Sequence, residues 1–128
     1  MILVLQGRRP QATPLTVSVD TATPEAPVVE ISGDLEFTSA AKLRVEVERL
    51  LAEAPPRIVL DFAQLRFMDS TGLSVIVQAW QEGSTTGTVI ELRSTPRFLD
   101  TILDITGVSS LLARSAQGGQ SGQSAASA

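Results

Sequence analysis

The sequence FMDSTGL, residues 67–73, decides the fold because it joins an apolar run to a segment with helical spacing. The preceding run, RIVLDF at residues 57–62, is typical of a strand in the middle of a sheet. In the following segment apolar residues recur three and four positions apart, which predicts a helix over residues 71–81. A helix therefore begins near Asp69 and Ser70. Its unpaired N–H groups and the positive end of its dipole favour an acidic side chain or a phosphate there.

The composition predicts one globular domain and excludes several kinds of chemistry. The chain has 128 residues, 43% of them hydrophobic, and a net charge of −4. That charge argues against a general nucleic-acid binder and against docking on an anionic membrane. With no cysteine and no histidine, the chain has no thiolate nucleophile, no Ser-His-Asp triad and no imidazole ligand for a metal. We therefore expect no enzymatic activity, no cofactor and no metal.

The N-terminus does not resemble a targeting segment. Residues 1–5 are apolar, but Arg8 and Arg9 follow them, whereas a signal peptide places its charges first and has a longer apolar core. No apolar run approaches the length of a membrane span. We expect a cytoplasmic protein.

Strand and helix patterns alternate along the chain in the order β-β-α-β-α-β-α. This order predicts an α/β fold in which a mixed sheet, opened by an N-terminal hairpin, packs against helices. We expect a loosely ordered extension at 1–13, the domain at 14–114 and a disordered tail of Gly, Ser, Gln and Ala at 115–128.

Some local features of this prediction depend on single residues. Asp61 is placed at the end of its strand, because a carboxylate inside an apolar strand would need a partner. Residues 83–87 are rich in turn formers and predict a break after the second helix. The buried face of the last helix is expected to consist of Phe98, Leu99, Ile102, Leu103 and Ile105.

The position of Ser70 allows three roles. In the first, Ser70 or Thr71 caps the helix, since both residue types are favoured caps. In the second, Ser70 accepts a phosphate, whose charge of roughly −1.5 to −2 suits a helix N-terminus and opposes a partner pressed against it. The third role, a serine nucleophile, is disfavoured because the chain has no histidine and Asp69, not glycine, precedes the serine.

The sequence resembles the STAS domain family, and more narrowly the bacterial anti-sigma factor antagonists, at four places in order. Residues 67–73 resemble the family signature, and 29–36 resemble a strand that ends in a Gly-Glu-Leu-Asp type of turn. Residues 39–43 resemble the start of the first helix, and 98–108 resemble the last helix with its closing Thr-Gly turn. The resemblance runs from about 28 to 112 and implies a single STAS-like domain.

The resemblance also implies a function. In the antagonists, an anti-sigma factor that is an ATP-dependent serine kinase phosphorylates the serine directly after the aspartate. The unphosphorylated antagonist binds that kinase and frees the sigma factor, and a PP2C-type phosphatase resets the switch. The chain would thus regulate sigma-factor-dependent transcription, as in a stress response, through phosphorylation of Ser70. The residues expected to bind the partner are Asp69, Ser70, Thr71, Gly72, Leu73 and Ser74, together with Asp34 and Glu36.

Two positions depart from the family pattern. Ser74 stands where many antagonists have a second glycine, and Glu36 stands where an aspartate is usual. Asp34, Glu36 and Asp69 are expected to form an acidic group that either faces the partner kinase or is a solvated turn beside a helix start. Their spacing matches no cation-binding loop, which disfavours a metal site.

A second hypothesis keeps the same fold without the switch. The chain would then be a scaffold subunit of a sensory or stress-signalling complex, with a serine that is rarely modified. A measurement of size separates the two: a monomer or weak dimer favours the antagonist, and a stable large oligomer favours the scaffold.

Overall fold

The computed structural model of the protein describes residues 13–115, so the predicted N-terminal extension up to residue 12 and the tail beyond 115 lie outside it. The described residues form five strands and three α-helices. In chain order these are β1 (Thr16–Asp20), β2 (Val28–Leu35), α1 (Ala40–Leu51), β3 (Arg57–Met68), α2 (Ser70–Thr86), β4 (Val89–Arg93), α3 (Arg97–Thr106), a short 3₁₀ helix (Val108–Leu111) and β5 (Ala113–Ser115).

The strands form one mixed sheet in the order β1-β2-β3-β4-β5. The pair β1–β2 is antiparallel, and the three following pairs are parallel. The predicted α/β class and N-terminal hairpin are therefore confirmed. The sequence analysis missed β5, which has only three residues.

The hydrophobic core lies on one face of the sheet. The side chains of Ile58, Leu60 and Phe62 alternate along β3 and are fully buried. They belong to the same cluster as the buried residues of all three helices, such as Leu43 of α1 and Ile76 of α2. The fold is thus held together by helices packed against this face.

The other face of the sheet carries charged side chains, and we refer to it as the open face. It is defined by Glu30, Arg57, Asp61, Glu91 and Arg93, all of them partly or fully exposed. Two ion pairs bridge β3 and β4 on this face, with Arg57–Glu91 at 3.1 Å and Arg93–Asp61 at 2.9 Å. The prediction that Asp61 ends its strand was therefore wrong. Asp61 lies in the middle of β3 and has an arginine partner.

Strand β3 is longer than predicted and continues to Met68. The register against β2 shifts twice, between Glu30 and Ser32 and between Gly33 and Asp34, each time with an extra residue on β3. These bulges interrupt the strict alternation of buried and exposed residues. The pairing of β3 with β4 ends at Asp61–Arg93, so beyond it β3 pairs only with β2.

The helix α2 is also longer than predicted, because it runs through the residues expected to break it. It ends at Thr86 and is capped by Gly87, whose φ of 87° is left-handed. The hydroxyls of Ser84 and Thr85 donate to the carbonyls of Trp80 and Gln81 one turn earlier, at 2.9 and 3.2 Å. A run of hydroxyl residues that suggests a turn is thereby accommodated inside a helix.

The prediction for the apolar face of α3 was wrong at its end. Ile105 is 72% exposed, whereas Leu99, Ile102 and Leu103 supply the buried face.

Among the described residues, none of the helices has both the length and the apolar character that a membrane crossing requires.

Candidate functional site

The site around Ser70 lies at the end of the β2–β3 pair. Leu35, the last residue of β2, stands opposite Met68, the last residue of β3. The loop 36–39 follows β2, and the turn into α2 follows β3. We name this region, residues 35–39 and 68–74, the Ser70 edge.

The cap of α2 is Asp69, and not Ser70 or Thr71 as the capping interpretation expected. The Oδ1 atom of Asp69 accepts hydrogen bonds from the backbone N–H groups of Thr71, at 2.9 Å, and Gly72, at 3.1 Å. Ser70 is therefore the first residue of the helix itself. Its side chain is half-buried, so part of its surface faces solvent.

The second carboxylate oxygen of Asp69 joins the two halves of the edge. Oδ2 accepts a hydrogen bond of 3.0 Å from the backbone N–H of Phe37, in the loop after β2. The backbone N–H of Asp69 in turn donates to the carbonyl of Leu35 at 3.2 Å. With 4% of its surface exposed, Asp69 uses its charge to bind backbone N–H groups of both segments.

The start of α2 lies so close to the end of β2 that only glycine fits at residue 72. A Cβ atom on Gly72 would lie 2.7 Å from Cγ of Met68 and 2.8 Å from both Cγ and the carbonyl oxygen of Leu35. Gly72 thus allows the close approach of the first turn of α2 to the end of β2.

The loop 36–39 is itself a tight turn. The hydroxyl of Ser39 accepts from the N–H of Glu36 at 3.1 Å and donates to the carbonyl of Asp34 at 2.7 Å. The carbonyl of Glu36 accepts from the N–H groups of Ser39 and Ala40 at 3.0 and 2.8 Å. Ser39 stands at the start of α1 but makes no side-chain bond to the helix N–H groups, because its hydroxyl stabilises the turn instead.

The predicted partner-binding residues divide into two groups. Asp34, Asp69 and Gly72 are buried, the first two with 2% and 4% of their surface exposed. The others reach the surface: Glu36, Ser70, Thr71 and Leu73 are partly exposed, and Ser74 is exposed. The Oγ atom of Ser74 donates to the carbonyl of Ser70 at 3.1 Å.

The expected acidic group does not form one surface. Asp34 accepts a hydrogen bond of 2.8 Å from the backbone N–H of Thr13, whereas Asp69 holds the start of α2 and Phe37. Only Glu36 offers a partly exposed carboxylate at this edge. Within residues 13–115, no group of three or more acidic side chains is arranged to hold a metal ion.

Sequence reasoning missed Phe37. Its side chain is 76% exposed, more than any other large hydrophobic residue of the described chain. The available signal was its context, since a phenylalanine stands in the otherwise polar stretch EFTS between a strand and a helix. Apolar periodicity ignores such a residue because it belongs to neither element.

The chain belongs to the STAS domain family. A family profile described as Mlab, STAS domain matches residues 18–113, well over half of the chain. A comparison with curated proteins found no match.

Solved structures share the fold at low sequence identity. An anti-sigma factor antagonist from Mycobacterium paratuberculosis has a TM-score of 0.69 and 22% identity, covering 81% of this chain and 89% of that one. The anti-sigma factor antagonist SpoIIAA in its unphosphorylated form has a TM-score of 0.69 and 17% identity, with 80% and 90% covered. The phosphorylated form of SpoIIAA, a Bacillus cell fate determinant, has a TM-score of 0.66 and 16% identity, with 80% and 94% covered.

Proposed function

We propose that this protein is an anti-sigma factor antagonist whose partner is an anti-sigma factor with serine kinase activity. The unphosphorylated protein binds the kinase through the Ser70 edge and thereby frees a sigma factor. Phosphorylation of Ser70 releases the kinase, and a PP2C-type phosphatase restores the binding form. The observation that carries the proposal is a partly exposed serine at the first position of α2, directly after a buried capping aspartate.

In the proposed reaction, Oγ of Ser70 attacks the γ-phosphorus of ATP held by the kinase. The new Oγ–P bond forms while the bond from that phosphorus to the bridging oxygen of ADP breaks, and the hydroxyl proton passes to a base of the kinase. In the reset, water attacks the phosphorus, the Oγ–P bond breaks, Oγ of Ser70 regains a proton from the water, and inorganic phosphate leaves. The chain itself supplies only the hydroxyl, which agrees with its lack of histidine and cysteine.

The position of Ser70 supports a switch that leaves the fold intact. A phosphate at the first turn of α2 is stabilised by the helix dipole, by about 0.3–1 kcal/mol. The buried carboxylate of Asp69 next to it has the same sign and opposes that gain. Because the two effects offset each other, we expect little change in stability. SpoIIAA, which shares this fold, is known in both an unphosphorylated and a phosphorylated form.

The switch would act on the partner instead. A phosphate adds roughly −1.5 to −2 charge to a surface that the kinase must approach closely. In this scheme Asp69 and Gly72 position the turn, Asp34 holds Thr13 against β2, and the exposed groups around Ser70 touch the kinase.

The test uses purified anti-sigma factor serine kinases encoded in the same genome, incubated with ATP and the full chain. We expect one phosphate on Ser70 by peptide mass spectrometry. Ser70→Ala should accept none, and Ser74→Ala, which removes the neighbouring hydroxyl one turn along the helix, should still accept one phosphate on Ser70. Phosphate on Ser74 or Thr71 instead, or none with any kinase of the set, would contradict the proposal.

A binding measurement with the same kinases tests the release step. Ser70→Asp should weaken binding at least tenfold relative to Ser70→Ala, while its melting temperature stays close to that of the unaltered protein. A large loss of stability in Ser70→Asp would assign Ser70 a structural role.

A further inference from the structure

Phe37 lies in the loop after β2, its backbone N–H bonds to Asp69, the residue directly before the phosphoacceptor, and the proposed switch does not use its exposed side chain. We propose that Phe37 is an anchor that inserts into an apolar pocket on the kinase that receives the Ser70 edge. This inference rests on the proposed function and adds to it a contact residue and the chemistry of the partner surface.

The exposure of Phe37 is the first observation. A phenylalanine that is 76% exposed leaves most of a large apolar surface in water. Burial of such a side chain on binding is favourable in proportion to the area removed from water. Aromatic residues are also enriched among the few side chains that dominate binding at protein interfaces.

The second observation is that the backbone carrying Phe37 is fixed before any partner arrives. Its N–H donates to Oδ2 of Asp69 at 3.0 Å, and the hydroxyl of Ser39 and the carbonyl of Glu36 close the turn around it. A side chain presented from an ordered turn loses less conformational freedom on binding than one on a loose loop.

The third observation is the carboxylate that Phe37 shares with the phosphoacceptor. Asp69 binds the N–H of Phe37 through one oxygen and caps the helix that begins at Ser70 through the other. The aromatic ring and the hydroxyl are therefore carried by two backbone segments that one buried residue ties together. We therefore expect a kinase that docks on the Ser70 edge to contact Phe37 as well as Ser70.

A comparison of two exposed apolar residues tests this inference. Phe37→Ala removes the anchor, and Ile105→Ala is the matched control because Ile105 is 72% exposed but lies on α3. Binding of the full chain to the kinase that modifies Ser70 is measured by calorimetry, and melting temperature is measured for each variant. We expect Phe37→Ala to weaken binding at least tenfold, Phe37→Leu to recover part of the loss, and Ile105→Ala to change it less than twofold.

Several outcomes would contradict the proposal that Phe37 is an anchor for the kinase. Equal binding by Phe37→Ala and the unaltered protein would remove Phe37 from the interface, while Ser70 phosphorylation in the same samples would leave the proposed function standing. A marked drop in the melting temperature of Phe37→Ala would show that the ring packs within its own chain. Conversion of a dimer to a monomer by Phe37→Ala, seen by size-exclusion chromatography with light scattering, would make a second copy the occupant. Failure of the unaltered protein to bind any kinase would contradict both proposals.

Discussion

The Ser70 edge and the open face both carry aspartates on or next to β3, but the two regions use them differently. At the edge, Asp69 is 4% exposed and accepts three hydrogen bonds from backbone N–H groups. On the open face, Asp61 is paired with Arg93 at 2.9 Å, with side chains 15% and 34% exposed. At the edge, the carboxylate of Asp69 fixes the path of the backbone. On the open face, the carboxylate of Asp61 pairs with an arginine side chain that solvent can reach.

This difference predicts how strongly each region responds to mutation. A buried acceptor that is removed leaves its backbone donors without partners, which is strongly destabilising. An ion pair near solvent can be replaced by water, and its net contribution is small. The partner surface proposed above therefore lies on the region that we expect to be more sensitive to mutation.

The largest effect is expected for Asp69→Ala. It removes the cap of α2 and the acceptor for Phe37 together, so we expect the free energy of unfolding to fall by about 2–4 kcal/mol. Urea unfolding followed by circular dichroism measures this change. A loss below about 1 kcal/mol would show that the edge tolerates an unpaired donor and would remove the contrast with the open face.

Asp69→Asn separates the two functions of this side chain. Asparagine caps helices about as well as aspartate, so Oδ1 keeps its two bonds. Its amide group, placed where Oδ2 stands, would present a donor to the N–H of Phe37. We expect a smaller loss than with alanine, about 1–2 kcal/mol, which is the part due to the link between the two halves of the edge.

Gly72→Ala is also expected to destabilise the fold, because its Cβ would lie 2.8 Å from the carbonyl oxygen of Leu35. Overpacking of this kind costs about 1–3 kcal/mol. The control is Ser74→Ala, on the same helix but exposed, which should change stability by less than about 0.5 kcal/mol. Equal stability of both variants would mean that α2 shifts away from β2 at no cost.

Much of the fold could be predicted from the sequence, because apolar periodicity marks the strands β1 to β4 and the three helices. What it missed has physical causes. Two bulges break the alternation after Phe62, so the strand pattern stopped there, although β3 continues to Met68. The hydroxyl run after Trp80 resembles a turn but bonds back to its own helix. Ile105 follows the helical spacing, yet α3 ends at Thr106 and its last turn leaves that side chain exposed.

The candidate site was predictable in position but not in detail. The motif placed a helix start at residues 69–71, and the structure has it there. Which residue caps the helix depends on the backbone: Asp69 is extended, with φ −109° and ψ −172°, and its carboxylate reaches the N–H groups of Thr71 and Gly72. The link to Phe37 spans 32 positions in sequence, so no local pattern could reveal it.

The smallest effect is expected on the open face, for Asp61→Asn. The amide keeps the local bond in which Oδ1 of Asp61 accepts from the N–H of Ala63 at 2.9 Å, so the substitution removes the charge that faces Arg93 and the Oδ2 atom that accepts from its guanidinium at 2.9 and 3.2 Å. We expect a loss of about 0–1 kcal/mol that shrinks further in 1 M salt, where charges near solvent are screened within about 3 Å. Binding to the kinase should not change.

Because the same Asp-to-Asn substitution is made at Asp69, the two variants compare the regions directly. At Asp69 the carboxylate is buried and the lost bond is to a backbone N–H, so its cost should depend less on salt. At Asp61 the lost interaction is between charges near solvent, so its cost should depend on salt. If Asp61→Asn costs as much as Asp69→Asn and the loss persists in high salt, the open face stabilises the fold as strongly as the edge does, and the distinction between the two regions is wrong.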